Sequence, residues 1–283
     1  MNIVTTDWRA LSVPERIRHF EVEGYVVLPD ALTPEMLDQL REETDRLPTQ
    51  TTSYHDRQGS SAGPPQWQGH TLGELIANPP VIAFLERVIG DDIIFFSGGY
   101  RYYEPGAVGV VLHTDGYPYG SSLGGYLWTS PVSVRVSYYL DDLTEDNGPF
   151  RLIPRSHICL HPDARAYIRY DSHPEEVALL AKAGDAVLFG PRIFHGAHPH
   201  RGTAGVRRVI LYAYRPAWAS PIQPVDEWPA EDLAKAPGVA HRFLAPLNTK
   251  GWQWNLDHRP ADMFDRVGRG VNPSRWEDRP DKS

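Results

Sequence analysis

The sequence predicts a mainly β fold, a sandwich or jelly roll with helices packed on one outer face. Three observations predict it. From Asp91 to about Trp218 the chain is a series of short β-branched and aromatic runs with few helical stretches between them. Turn signals such as Asp146-Asn-Gly-Pro149 and Ala183-Gly-Asp185 separate the runs. Proline is abundant, 26 residues beside 24 glycines in 283, against a usual share of roughly 5%. That density favours short strands and ordered loops over a helical bundle.

In chain order, Ser12-Val-Pro-Glu15 reads as a helix start: Ser12 caps, Pro14 suits the first turn and Glu15 completes a capping box. The helix runs to about Glu23 and stops at Gly24. Gly24 to Pro29 reads as a short buried strand. Thr33-Pro-Glu-Met36 opens a second helix, whose Met36, Leu37, Leu40 and Leu47 keep roughly helical spacing. Residues 49–70 are polar and read as one long loop. His70 to Gly90 reads as a helix in two pieces broken by Pro79-Pro80. Strands are expected at Ile93–Phe96, Gly99–Tyr103, Val108–Leu112, Val132–Leu140, Arg151–Ile153, Asp185–Phe189 and Arg207–Tyr214. The whole chain is expected to form one domain. Residues 1–90 give helical support and a loop, 91–218 the β core, and 219–283 a partly helical extension carrying Trp228, Trp252, Trp254 and Trp276.

The net charge of −8 comes without any block of lysine and arginine, which argues against a nucleic-acid partner. One cysteine, Cys159, excludes an internal disulfide and any cysteine-rich metal site, and it fits a cytoplasmic location. The first twenty residues lack the pattern of a signal peptide, and no apolar stretch is long enough to span a membrane.

Among twelve histidines, most are expected to be bland polar residues, and arrangement singles out a few. His113-Thr-Asp115 follows a strand, and residues i and i+2 of an extended chain point to the same side. An imidazole and a carboxylate are thus placed on one face. A second histidine from another strand would complete a set of two histidines and one carboxylate, which suits non-haem Fe(II) with positions left open for small ligands. The bland alternative is an exposed strand-end pair. His195 is a candidate for the third place, but His157, His161, His198 and His200 compete, and periodicity does not choose among them.

Taken in order, several motifs resemble the phytanoyl-CoA dioxygenase family of Fe(II)/2-oxoglutarate-dependent oxygenases. They are Glu23-Gly-Tyr-Val-Val-Leu28, His113-Thr-Asp115, Tyr139-Leu-Asp-Asp142, Asp146-Asn-Gly-Pro-Phe-Arg-Leu-Ile-Pro-Arg-Ser-His157, Ala183-Gly-Asp-Ala-Val-Leu-Phe189 and His195-Gly-Ala197. The similarity runs from about Phe20 to Ala217. It implies a double-stranded β-helix (a cupin-like jelly roll) holding Fe(II) on His113, Asp115 and His195, with 2-oxoglutarate and dioxygen as the other participants. The family's histidine stands ten residues after the Asp of its Gly-Asp turn, as His195 does after Asp185. The family also places an arginine shortly after this histidine to hold the far carboxylate of 2-oxoglutarate. Here Arg207 and Arg208 compete, and alternation that sends Arg207, Val209 and Leu211 to one face favours Arg207. The family's usual glycine before Ser-His is Arg155 in this chain.

Three further features bear on a site. Arg135 interrupts an apolar strand and needs a partner; a salt bridge at a sheet edge and a carboxylate of substrate or co-substrate are equal alternatives. Tyr102 or Tyr103 is expected to line the pocket and contact 2-oxoglutarate, unless both are core aromatics. Residues 116–128, rich in glycine and aromatics, read as a lid. The resemblance implies oxidation, usually hydroxylation, of a C–H bond in a small metabolite, with release of succinate and CO2. Asp115 argues against a halogenase, which uses a small residue there. The alternatives are a metal-dependent hydrolase or isomerase without 2-oxoglutarate, and a binding protein on the same barrel.

Overall fold

The computed structural model describes residues 1–115, 133–158, 172–219, 221 and 224–249. The expected lid, Cys159, His161 and the tryptophans after Trp228 lie outside these residues.

The chain begins with β1 (Asn2–Ile3) and helix α1 (Val13–Glu23). The Ser12 N–H donates to the Glu15 carboxylate at 2.8 Å, and Gly24 ends the helix in the left-handed region at φ 87°. β2 (Tyr25–Leu28) follows, then α2 (Pro34–Asp45), capped by Thr33 Oγ1 accepting from the Met36 N–H. The expected loop over 49–70 is instead a hairpin, β3 (Thr49–Thr52) and β4 (His55–Ser61), followed by a 3-10 turn at Pro65–Trp67. Polar composition misled here because this hairpin extends a sheet at its edge, where one row of side chains faces water. Two helical pieces come next, α3 (His70–Glu74) and α4 (Pro79–Ile89), separated by a 3-10 turn at Leu75–Ala77. The prolines do not break a helix. They open α4, behind Asn78, whose side chain caps Val81.

The β core comprises β5 (Ile93–Tyr103), β6 (Val110–His113), β7 (Val134–Tyr139), β8 (Phe150–Leu152), β9 (Val177–Leu179), β10 (Ala186–Phe189), β11 (His195–Ala197) and β12 (Arg207–Pro216). The two strands expected at 93–96 and 99–103 are one strand. Its pairing with β12 shifts by one residue, since Ser97 opposes Ala213 and Phe95 opposes Tyr214. Phe96 is the extra residue of this bulge. A short helix, α5 (Ala230–Leu233), and a 3-10 stretch at Gly238–Phe243 close the described chain.

The strands form two sheets, in the orders β1-β9-β8-β11-β6 and β2-β10-β7-β12-β5-β4-β3. Alternation then divides the core. On the seven-stranded sheet, Val134, Val136, Tyr138, Leu188, Ile210 and Tyr212 face outward and pack under Phe20, Leu40, Leu72, Leu75 and Phe84 of the helical part. The expected helical support on one outer face is thus present, but residues 1–90 also supply strands to both sheets. The opposite faces meet in a second core, with Val187, Phe189, Tyr139 and Val209 against Phe150, Leu152 and Leu179. One end of this inter-sheet layer is left open as a cavity. Gln58 of β4 ties the seven-stranded sheet to the residue just before β6 of the other. Its amide donates to the Gly109 carbonyl and accepts from the Gly109 N–H, both at 3.0 Å.

Candidate metal and co-substrate site

The cavity between the sheets has a volume of about 510 Å³, a size suited to a small ligand. His113, Asp115 and His195 stand on its wall, and their donor atoms all lie within 4.8 Å of one another. His113 is the last residue of β6 and His195 the first of β11, and the two are direct partners across the antiparallel ladder. Their rings lie 4.4 Å apart. Asp115 follows β6, and its N–H donates to the Pro191 carbonyl at 2.8 Å, tying it to the segment before β11. Gly196 lets these strands meet, because a Cβ there would run into the Val110 and Val111 carbonyls.

Each imidazole is oriented by its own backbone. His113 Nδ1 lies 2.8 Å from the Val111 carbonyl and His195 Nδ1 2.9 Å from the Ile193 carbonyl. A carbonyl only accepts, so each Nδ1 carries a proton, which leaves each Nε2, turned toward Asp115, as the atom available to a metal. The Nε2 atoms stand 3.6 Å (His113) and 4.0 Å (His195) from the two carboxylate oxygens. Phe189 and Phe150 flank the His195 ring. Burial, and then the nearby His113, lowers the His195 pKa to about 4, against the opposing pull of Asp115. Burial alone would raise the Asp115 pKa. The imidazoles and the Arg135 guanidinium outweigh it and hold the carboxyl below its ordinary range.

Two of the competing histidines are engaged elsewhere. His157 Nε2 meets the Glu21 carbonyl at 2.9 Å, and His198 Nε2 lies 3.1 Å from Glu176. His200 is buried but outside the triad.

The two candidate arginines part company. Arg207 is buried and lines the cavity. Its guanidinium lies over the Tyr103 ring at 4.4 Å and donates to the Tyr139 hydroxyl at 3.3 Å. Its Nε and Nη1 are buried with no hydrogen-bond partner among the described residues. Arg208 points the other way. It pairs with Asp141 and Asp45, each at 2.8 Å, and does not reach the cavity. Tyr102 also misses the cavity, and its neighbour Tyr103 takes that place. Strand alternation is the reason, because Arg207 opposes Tyr103 and Arg208 opposes Tyr102. Arg135 is not at a sheet edge, since β7 lies between β10 and β12. It faces the cavity with Nε 2.9 Å from Asp115 Oδ2. Ser137 and Tyr139 share its face of β7 and were readable from the same alternation once Arg135 was placed inward. Phe150 and Phe189 carried no such signal.

The model of the phytanoyl-CoA dioxygenase (PhyH) family matches residues 20–209. The chain belongs to the phytanoyl-CoA dioxygenase family. It is a non-haem iron, 2-oxoglutarate-dependent dioxygenase on the family's jelly roll. Among its relatives, L-proline trans-4-hydroxylase of Streptomyces griseoviridis is 26% identical over 239 residues, covering 72% of this chain and 86% of the relative. The ectoine dioxygenase of Nocardia farcinica is 22% identical over 216 residues, covering 65% of this chain and 71% of the relative. The fold is shared with HygX of Streptomyces hygroscopicus, solved with nickel, 2-oxoglutarate and hygromycin B, at TM-score 0.61 and 20% identity over 73% of this chain and 88% of that one. It is also shared with the carbocyclase SnoK from nogalamycin biosynthesis, at TM-score 0.59 and 19% identity over 75% and 87%. Among the described residues no helix is long and apolar enough to cross a membrane.

Proposed function

We propose that His113, Asp115 and His195 hold the iron of this dioxygenase and that Arg207 holds the far carboxylate of 2-oxoglutarate. The observation that carries this reading is the pairing of two unmet demands in one cavity. Two imidazoles with their Nδ1 atoms already occupied aim Nε2 at a carboxylate, and a buried guanidinium keeps two nitrogens without a partner. Two histidines and one carboxylate form the donor set that non-haem Fe(II) takes while positions stay open. A planar, permanently charged fork fits a carboxylate in bidentate fashion. Tyr103 and Tyr139 support that fork, one by its ring face and one by its hydroxyl.

When bound, iron and 2-oxoglutarate supply the oxidising chemistry, in which dioxygen is consumed, succinate and CO2 leave, and a substrate C–H is oxidised. The chain's own residues orient and shield. Val111 and Ile193 fix the tautomers of the two ligand histidines. Phe150 and Phe189 keep water from the His195 ring. Arg207 sets the direction of the co-substrate along the cavity. The substrate is a small molecule. The single cysteine supports a cytoplasmic enzyme, and the absence of a basic tract argues against a nucleic-acid substrate.

Anaerobic titration of the protein with Fe(II) and 2-oxoglutarate tests the reading, with the visible charge-transfer band of the chelate as the expected result. A folded, iron-loaded protein that shows no band would sink it.

A further inference from the structure

We propose that Arg135 binds a carboxylate of the substrate, so that this enzyme oxidises a carboxylic acid at a carbon close to its acid group. The proposal rests on the reading of the site as an iron and 2-oxoglutarate centre and names the substrate class for it.

Two of the three cavity arginines, Arg135 and Arg207, serve different registers of one sheet. Tyr139, which meets Arg207, and Arg135 lie four residues apart on β7. At the usual rise of a strand that is about 13 Å. Arg135 stands at the Asp115 end of the cavity, and Arg207 serves the other end. A co-substrate clamped by Arg207 leaves Arg135 for another ligand.

Arg135 is also only partly used. Its Nε meets Asp115 as an ion pair at 2.9 Å, yet it is buried with no hydrogen-bond partner among the described residues. Its side chain keeps 29% of its exposure, and it lines the cavity rather than the outer surface. The β5 bulge places Phe96 against it, with the guanidinium carbon 5.6 Å from the ring centre. The guanidinium is therefore held at the cavity wall, where its planar fork suits a planar anion.

Charge points the same way. Among the described lining residues, the charged side chains are Arg101, Arg135 and Arg207 against Asp115 alone. Ferrous iron and the 2-oxoglutarate dianion cancel each other in charge, so the loaded cavity keeps its cationic excess. Metal binding also draws on the Asp115 charge that otherwise balances Arg135. A neutral substrate would leave a partly buried cation poorly compensated, and a carboxylate relieves this.

The simpler reading is that Arg135 only positions Asp115, and the experiment separates the two. Anaerobic protein loaded with Fe(II) and 2-oxoglutarate is titrated with matched pairs of compounds. Each pair is a free acid and its primary amide, drawn from amino acids and short alkanoic acids, and binding is read from the shift of the visible band and from the melting temperature. In the wild type, acids are expected to bind about ten- to hundred-fold tighter than their amides, as befits a charge-assisted contact. In Arg135→Gln that preference should vanish while the band and the 2-oxoglutarate affinity persist. Arg135→Lys should restore part of the preference. The proposal is overturned if no acid binds better than its amide, or if the preference survives in Arg135→Gln. It is equally overturned if Arg135→Gln weakens 2-oxoglutarate tenfold, or if it abolishes the band, which marks a positioning role alone. A wild-type protein without the band would bring down the iron reading and this proposal with it.

Discussion

Arg207 and Arg208 are neighbours in sequence and leave β12 on opposite faces, the first into the cavity beside Tyr103 and the second out to Asp141 and Asp45. Under the proposed function one carries a binding task and the other a structural one, and their variants should fail differently. Arg207→Leu is expected to raise the dissociation constant of 2-oxoglutarate by about ten- to hundred-fold while Fe(II) still binds. Arg208→Gln is expected to leave that affinity unchanged and to lower stability by about 1–2 kcal/mol, through loss of its hydrogen-bonded pairing with Asp141. Isothermal titration of the anaerobic protein and urea unfolding check the two halves. Equal losses of co-substrate affinity would refute the division.

The histidine pairing across β6 and β11 gives a second test. His195→Ala should abolish metal-dependent formation of the visible band, because it removes the Nε2 donor opposite His113. His198→Ala should leave the band intact, since His198 is turned to Glu176. The reverse pattern would move the third ligand.

Arg155 adopts φ 62°, in the left-handed region that costs a side-chain-bearing residue about 1–2 kcal/mol. The turn holds it there, with its N–H donating to the Glu23 carbonyl at 3.0 Å. Its side chain gains only a largely exposed ion pair with Glu23 at 3.6 Å. Arg155→Gly is therefore expected to stabilise the protein by about 1 kcal/mol with no change in metal binding, as read by thermal and urea unfolding. A loss of stability would show that the Glu23 contact outweighs the strain.

Acidification should weaken the metal-free protein through His195. Its pKa in the fold is lowered to about 4, from 6.5. As pH falls the unfolded chain takes up this proton first, so the stability present above about pH 6.5 is lost progressively toward pH 4. The ceiling of the effect is about 3 kcal/mol. Asp115, held below the ordinary carboxyl range, stays ionised in the fold through this window, and its own contribution begins to be lost only at the acid end, as the unfolded carboxyl starts to protonate toward its ordinary 3.8. Unfolding free energies measured from pH 7.5 to 4.5 should show the decline. In His195→Gln the part due to this imidazole should disappear, leaving the smaller slopes of His19, His157 and His200, whose pKa values burial also lowers, and the opposing one of Asp92. Metal affinity should fall through this imidazole only as the pH nears 4, where the folded protein itself takes up the proton on the Nε2 that the metal needs.

By itself the sequence determined the class of fold and picked out the first two candidate ligands. Period-two runs and turn signals specify strands wherever they are buried, and the i, i+2 spacing of His113 and Asp115 puts both on one face of an extended chain. The capping residues Ser12, Thr33 and Gly24 also set the helices without outside help, since their hydrogen bonds are local. The family's motifs then singled out His195, which geometry along the chain left tied with its neighbours. Tertiary structure decided what depends on pairing between distant strands. It made the polar 49–70 stretch a hairpin, because its order comes from the edge of β5 rather than from an apolar pattern of its own. It separated Arg207 from Arg208 and Tyr103 from Tyr102, because the choice of face is set by which side of β12 and β5 meets the second sheet. It brought Arg135 to Asp115 across the cavity. Local propensity acts over a few residues, while a site between two sheets is assembled by register, and register is fixed only when the strands meet.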